Sequence, residues 1–347
     1  MTHSILSFIL SISQLLMEIK IMNVVYIITD SYVPFLGISL VSLFENTTDL
    51  SFLNLFILSD DLSEQHQVEL SDLSAKYGRT ITFINVSGYK DAFNFQFNTS
   101  GFCSIVLARL LLPRYLPDNI STVLYLDSDI IINGSIKELE SVSNSINHYA
   151  FAAVPELYMP SRQKQMLNLS ASDIYYNCGM LFINLDYWRD KSLSDRFIKY
   201  YLEMNGQLLY NDQDILNHCC KDEIFTLSHT YNFSPALYYF PRYFIRRYQP
   251  AFYCNNKKTY CSILNNPAII HYSGEERPWY HGNFSPYKKN FEHYRNLSPW
   301  KNLTLTYGKE RLLFCYHILN CITRICPYFR KFFTQSIGIY YYKRNKK

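Results

Sequence analysis

The sequence predicts an α/β protein with a largely parallel central sheet carrying helices on both faces, and three observations predict it. Short apolar runs alternate with amphipathic helical stretches in a βαβαβ order over the first 90 residues. Hydrophobic residues make up 48% of the 347-residue chain, enough to cover both faces of a sheet. Several strand-like runs end in polar or acidic turns, as in open sheets that gather ligands at their strand ends.

Val24 to Ile28 reads as a buried strand, Thr29-Asp30-Ser31-Tyr32 as a polar turn, and Pro34 to Glu45 as a helix with Leu36, Leu40, Leu43 and Phe44 on its apolar face. A second strand runs from Leu53 to Leu58. Ser59-Asp60-Asp61 breaks it, and Ser63 opens a helix to about Tyr77. Thr80 to Val86 is a third strand, Ser104 to Pro113 a helix carrying Arg109, and Thr122 to Leu126 a strand that ends on Asp127. Ala150 to Val154 and Gly179 to Asn184 read as further strands, and Leu193 to Met204 and Gln213 to Cys219 as helices. From Tyr231 to Trp300 the chain is aromatic and rich in Pro and Asn, which predicts irregular, substrate-shaping loops. Three segments follow: an apolar extension over 1–21, one α/β domain over 22–300, and a basic, aromatic tail over 301–347 ending in YYYKRNKK.

Composition narrows the partners. A formal charge of +4, with 33 basic against 29 acidic residues, leaves no basic stripe in the first 240 residues, so nucleic acid is not an expected partner. Nine cysteines at irregular spacing in so large a chain read as reduced thiols rather than a disulfide framework. Cys315, Cys321 and Cys326 lack a His at zinc-finger spacing. Sequons at Asn46 and Asn232 carry little weight in an Asn-rich chain. Residues 1–17 lack the basic cluster that opens a signal peptide, and the run from Ile5 to Leu16 is short for a bilayer span, which needs about 20 residues.

Four segments carry candidate chemistry. In Tyr125-Leu126-Asp127-Ser128-Asp129 two carboxylates close an apolar strand, where alternating acidic groups can hold a hard divalent cation; turn formation is the plainer use of a D-x-D. Tyr175-Tyr176-Asn177-Cys178-Gly179 feeds a strand: Gly179 permits close backbone approach to a ligand, and the Asn177 amide can bond sugar hydroxyls. In Asn211-Asp212-Gln213-Asp214 the acidic residues also suit a helix start. Finally, His271-Tyr272-Ser273-Gly274-Glu275-Glu276-Arg277 puts an imidazole at a strand end and an Arg beside a Gly turn, suited to a metal and a diphosphate.

Taken in order, the N-terminal strand, LDSD, YYNCGMLFIN, NDQDILN and HYSGEERPW resemble glycosyltransferase family 8, especially its bacterial lipopolysaccharide galactosyl- and glucosyltransferase branch, over roughly Met22 to Trp300. The resemblance implies a GT-A nucleotide-sugar-binding fold, with a mixed, mostly parallel central sheet flanked by helices, and a retaining hexosyltransferase. Such an enzyme would move galactose or glucose from a UDP-sugar to a cell-surface glycan or glycolipid such as lipopolysaccharide. It implies Mn²⁺, or Mg²⁺, on Asp127, Asp129 and His271. Thr29, Ser31, Tyr32, Ser128, Gly274 and Arg277 would bind the nucleotide, although many relatives carry Lys at the last position. Arg109, Asn177, Cys178, Asp212 and Gln213 would bind the donor sugar, with Gln213 beneath the anomeric carbon, and Glu156 would lie near the acceptor. An amide is a poor nucleophile, which favours front-face departure over a covalent intermediate. The tail would rest on the cytoplasmic face of the membrane, its aromatics at the interface and its cations on anionic headgroups; a terminal helix packed on the domain is the plainer reading. A nucleotidyltransferase would need a Gly-rich basic loop missing from Thr29 to Gly37. An inactive glycan- or nucleotide-sugar-binding protein with the same fold is the remaining alternative.

Overall fold

The structure is a computed structural model and describes residues 21–50, 52–93, 103–157, 159–248 and 256–333. Most of the apolar extension and the YYYKRNKK terminus lie outside these residues.

A seven-stranded sheet has the order β3-β2-β1-β4-β7-β6-β8. Its strands are β1 (Ile21–Ile27), β2 (Phe52–Ser59), β3 (Ile81–Asn85), β4 (Thr122–Leu126), β6 (Phe151–Pro155), β7 (Tyr176–Asn184) and β8 (Ile224–Thr226). The pairs β1–β2, β1–β4, β2–β3 and β6–β8 are parallel, whereas β7 runs antiparallel to β4 and β6. A separate antiparallel pair joins β5 (Ile130–Ile132) to β9 (Ile269–His271), setting Ile130 opposite His271. This is the predicted mixed, mostly parallel sheet flanked by helices.

Alternation along the strands explains why both faces are covered. Met22, Val24 and Tyr26 of β1 point into one core, and Val25 and Ile27 into the other. Helix α1 (Val33–Asn46) covers the first core, with helix α2 (Glu64–Lys76) beside it. The second core is closed by a 3-10 helix over Ser104–Leu111, by α3 (Leu193–Glu203) and by α4 (Asn211–Cys219), around the fully buried Trp188 and Phe197.

One expectation is refined and one is corrected. The helix read over Ser104 to Pro113 is a 3-10 helix over Ser104–Leu111 followed by one short α-helical turn over Leu112–Tyr115. The stretch from Tyr231 to Trp300 is not uniformly irregular: it contains helices at Arg242–Tyr248 and Lys257–Asn265, and α5 (Lys288–Leu297). Aromatic side chains hid these helices, because Tyr and Phe fit strand, loop or helix and here fill the gap over α1; the Tyr294 hydroxyl accepts from Asn46 at 2.8 Å.

Beyond Trp300, Thr306 runs alongside Tyr280, and α6 (Glu310–Ile325) packs on the domain through Leu313, Leu319, Asn320 and Thr323. Its other face leaves Phe314, Ile318 and Ile325 exposed, Leu312 is exposed in the first turn, and Phe329 and Phe332 are exposed just beyond the helix. Among the described residues no helix is long and apolar enough to cross a membrane.

Candidate active site

The carboxyl ends of β1, β4 and β6 lie on one edge of the sheet, and because β7 is reversed, its amino end joins them. Thus Asn177–Gly179, in the first residues of β7, meets Asp127, which follows β4: the Asp127 N–H donates to the Gly179 carbonyl at 2.8 Å. A register shift between Ala153 and Val154 bends β6 just before Glu156.

Asp127, Asp129 and His271 offer ligand atoms that all lie within 4.8 Å of one another, the one such group among the described residues. His271 Nε2 is 3.2 Å from Asp129 Oδ1 and 3.7 Å from Asp127 Oδ2. Asp129 Oδ1 is buried and accepts no hydrogen bond, so a carboxylate lone pair is aimed at the centre of the group. Two carboxylates and an imidazole converging on an unfilled acceptor suit a divalent cation such as Mn²⁺ or Mg²⁺. Burial raises the Asp127 carboxyl, and the like charge of Asp129 adds to this, against the opposing pull of Arg109. Burial also penalises the Asp129 carboxylate, but Arg277 and His271 more than offset that and hold it well below its ordinary value. For His271, burial disfavours the charged ring, while the two carboxylates outweigh it and raise its pKa.

Gly179 is indispensable to this geometry. A Cβ there would fall 2.7 Å from both ring nitrogens of His271, inside any permitted contact. The missing side chain at Gly179 therefore makes room for the His271 ring.

Arg109 is buried at 4% exposure behind Asp127. Its guanidinium donates to the Cys178 carbonyl, pairs with buried Asp212, and lies 4.4 Å from the centroid of the Tyr125 ring. The Tyr125 hydroxyl donates to Asp127 Oδ1 at 2.6 Å. Gln213 is held at both ends: Oε1 accepts from the Cys178 N–H at 2.9 Å, and Nε2 donates to the Tyr175 hydroxyl at 3.2 Å. Cys178 meets the site through its backbone, its side chain being packed in the second core and its thiol pushed up to about 12 by burial. Asp214, which the sequence offered as an acidic residue suited to a helix start, is fully buried; it accepts from Tyr175 at 2.6 Å and from the Tyr210 N–H at 2.8 Å, and burial raises its pKa to about 6.

On the other flank, Thr29 and Ser31 share a hydroxyl contact of 3.2 Å, and Ser128 sits half-buried in the turn between Asp127 and Asp129. Tyr32 packs edge-on to Phe35, Phe35 on Trp279, and the Arg277 guanidinium lies 5.3 Å from a Trp279 ring centroid. Arg277 pairs with Asp129, and its Nε donates to the Gly274 carbonyl at 3.1 Å, at a glycine whose φ of +88° few other residues adopt. Arg109, Gly274 and Arg277 are therefore tied to the Asp127, Asp129 and His271 group, and the Tyr32 turn reaches Arg277 through Phe35 and Trp279.

Sequence reasoning missed Asn232. It entered only as a sequon, yet it is 5% exposed and bonds both Asn177 and His271. Its sole signal was a polar residue between two aromatics, Tyr231 and Phe233, shortly before a strand.

A switch-point cleft of acidic, imidazole and guanidinium groups on a mixed α/β sheet defines the GT-A class of glycosyltransferases. Residues 23–282 match the profile described as Glycosyl transferase family 8, and the chain belongs to that family. It is 25% identical over 287 residues to General stress protein A of Bacillus subtilis (strain 168), covering 82% of this chain and 96% of that protein. It is 26% identical over 289 residues to a lipopolysaccharide 1,2-glucosyltransferase of Escherichia coli, covering 82% and 81%. The galactosyltransferase LgtC, solved with donor and acceptor sugar analogs, shares the fold with a TM-score of 0.67 at 23% identity, covering 83% of this chain and 98% of that one. The chain is accordingly a glycosyltransferase.

Proposed function

We propose that this glycosyltransferase moves a hexose, galactose or glucose, from a UDP-sugar to a cell-surface glycan such as lipopolysaccharide, with retention and with Mn²⁺ or Mg²⁺ as cofactor. The convergence of Asp127, Asp129 and His271 on one unfilled carboxylate oxygen is the observation that carries the reading. Relatives and neighbours named for glucose and for galactose support a hexose donor.

Asp127, Asp129 and His271 would hold the cation, which supplies Lewis-acid neutralisation of the diphosphate and of the departing UDP. Arg277 is free to exchange its carboxylate partner for phosphate oxygens, which a guanidinium binds in a bidentate way. The Gly274 turn would lie along the diphosphate, and Tyr32 would stack on the base with Thr29, Ser31 and Ser128 around the nucleoside. Arg109 is engaged by Asp212 and the Cys178 carbonyl, so it orients Asp212 and the 178–179 backbone toward the donor sugar, beside Asn177. Gln213, anchored at both ends, presents a neutral amide rather than a nucleophile. The acceptor hydroxyl would attack on the face the phosphate leaves and pass its proton to the leaving phosphate oxygen. Glu156 is read as an acceptor contact, not a base.

The exposed apolar strip of α6, with Arg324, Arg330 and Lys331 nearby, supports peripheral attachment to a membrane surface, which we place on the cytoplasmic face. The test is UDP release from a panel of UDP-sugars, with Mn²⁺ and with EDTA. Mn²⁺-dependent hydrolysis of UDP-galactose or UDP-glucose is expected; release that is indifferent to EDTA, or from neither hexose, contradicts the proposal.

A further inference from the structure

Asn232 stands outside every role assigned above, and the polar chain it occupies runs in one direction only. At one end, the Glu156 carboxylate can only accept, so the Asn177 group 2.8 Å from Oε2 must be its NH2. That orients the Asn177 carbonyl toward the Gly179 N–H at 3.0 Å, which is a donor and confirms the assignment. The same Asn177 oxygen lies 2.9 Å from Asn232, which must therefore offer its own NH2. The Asn232 carbonyl is then left facing His271 Nδ1 at 2.9 Å. A carbonyl oxygen cannot donate, so Nδ1 carries the proton.

We propose that Asn232 is the positioning residue of this site: it fixes His271 in the Nδ1–H tautomer, turning the Nε2 lone pair toward Asp127 and Asp129, and through Asn177 it ties that ligand to Glu156. Metal-ligating histidines are held by a partner on their other nitrogen, and loss of that partner typically weakens metal binding about 10- to 100-fold. The partner here is neutral, and it is shared. One amide serves the metal side through its oxygen and the sugar side through its nitrogen. The backbone beside it is fixed as well: the His271 N–H donates to the Phe233 carbonyl at 2.9 Å, next to Asn232 in the chain.

The inference rests on the proposed metal site, and the test separates the two. Binding of Mn²⁺ alone is followed by loss of the free-ion electron paramagnetic resonance signal, with no donor present. Asn232→Ala removes both bonds, Asn232→Leu removes them while keeping the volume, and Asn232→Asp keeps an acceptor for Nδ1–H but cannot donate to Asn177. The expected result is a Mn²⁺ Kd raised about 10- to 100-fold in the Ala and Leu variants and close to wild type in the Asp variant. A purely structural role would not separate Asp from Leu. Folded Ala or Leu variants that bind Mn²⁺ like wild type overturn the inference alone, and so does an Asp variant as weak as Leu. Failure of the wild type to bind Mn²⁺ overturns the metal reading with it. Should the variants not fold, histidine-labelled wild-type protein with Mg²⁺ decides by 15N NMR: a proton on Nδ1 with Nε2 bare is expected, and a proton on Nε2 contradicts it.

Discussion

Gly179 and His271 illustrate how single residues set the site. The imidazole occupies the volume a Cβ would need, and both partners are fixed, one in the middle of the sheet and one buried at the end of β9. Gly179→Ala is expected to abolish Mn²⁺-dependent activity while costing about 1–3 kcal/mol of stability through overpacking, measurable by Mn²⁺ titration beside a denaturant melt. The Arg109–Asp212 pair is buried on both sides. Asp212→Ala strands the guanidinium, for which about 3–5 kcal/mol of destabilisation is expected; a loss below about 1 kcal/mol would mean the pair is not load-sharing. Asp214 gives a pH signature. Its pKa is about 6 in the folded chain against 3.8 in the open chain, so the folded state binds that proton more tightly. Its contribution to stability is complete below about pH 4 and is lost as pH rises through about 6, worth at most ~3 kcal/mol. Thermal melts of Asp214→Asn and wild type should therefore differ in slope between pH 4 and 6, and parallel curves would contradict the assignment. Residue identities such as Asp127, Asp129, His271 and Gln213 were legible because strand-end carboxylates and the ordered motifs point to them. Asn232 and the true neighbour of Gly179 were not, since both depend on which distant side chain arrives there.

At the scale of elements, most of the sheet was legible from apolar runs bounded by polar turns, and Thr122 to Leu126 coincides with β4. What was not legible is the reversal of β7, since a buried strand has the same composition in either direction. That reversal brings Asn177–Gly179, at the amino end of β7, to the ligand edge, whereas β1 and β4 present their carboxyl ends there. The helices between Tyr231 and Trp300 escaped for the opposite reason, their aromatic content masking a helical period. Trp300 shows what that region does: its ring lies where a Cβ on Gly37 would be, so α1 carries a glycine in mid-helix despite the helical cost. Gly37→Val is expected to push the ring off α1 and destabilise the fold by about 1–3 kcal/mol. Unchanged melting with unchanged Trp fluorescence would contradict that packing.

For the whole molecule, α6 joins the site to a surface. Lys309 pairs with Glu275 at 2.8 Å, and Asn320 donates to Glu276 at 2.8 Å, so the helix with the exposed apolar strip is fastened to the loop carrying Gly274 and Arg277. The plainer reading of the tail, a helix packed on the domain, holds for one face of α6, and the exposed face is what the membrane proposal needs. Full-length protein should sediment with anionic vesicles and release as salt shortens the screening length from about 10 Å at 0.1 M to about 3 Å at 1 M. Replacing Phe314, Ile318 and Phe329 by Ser should reduce the bound fraction without altering UDP release; undiminished binding by that variant would contradict the assignment of this face.

The central claim is that Asp127, Asp129 and His271 form a cation site serving a nucleotide diphosphate. Calorimetric titration of UDP into the protein, with Mn²⁺ and with EDTA, beside an Asp127→Ala, Asp129→Ala double variant, tests it most directly. The account predicts UDP binding that requires Mn²⁺ and disappears in the variant. UDP binding of equal strength in EDTA or in the folded variant, or none under any condition, would contradict it.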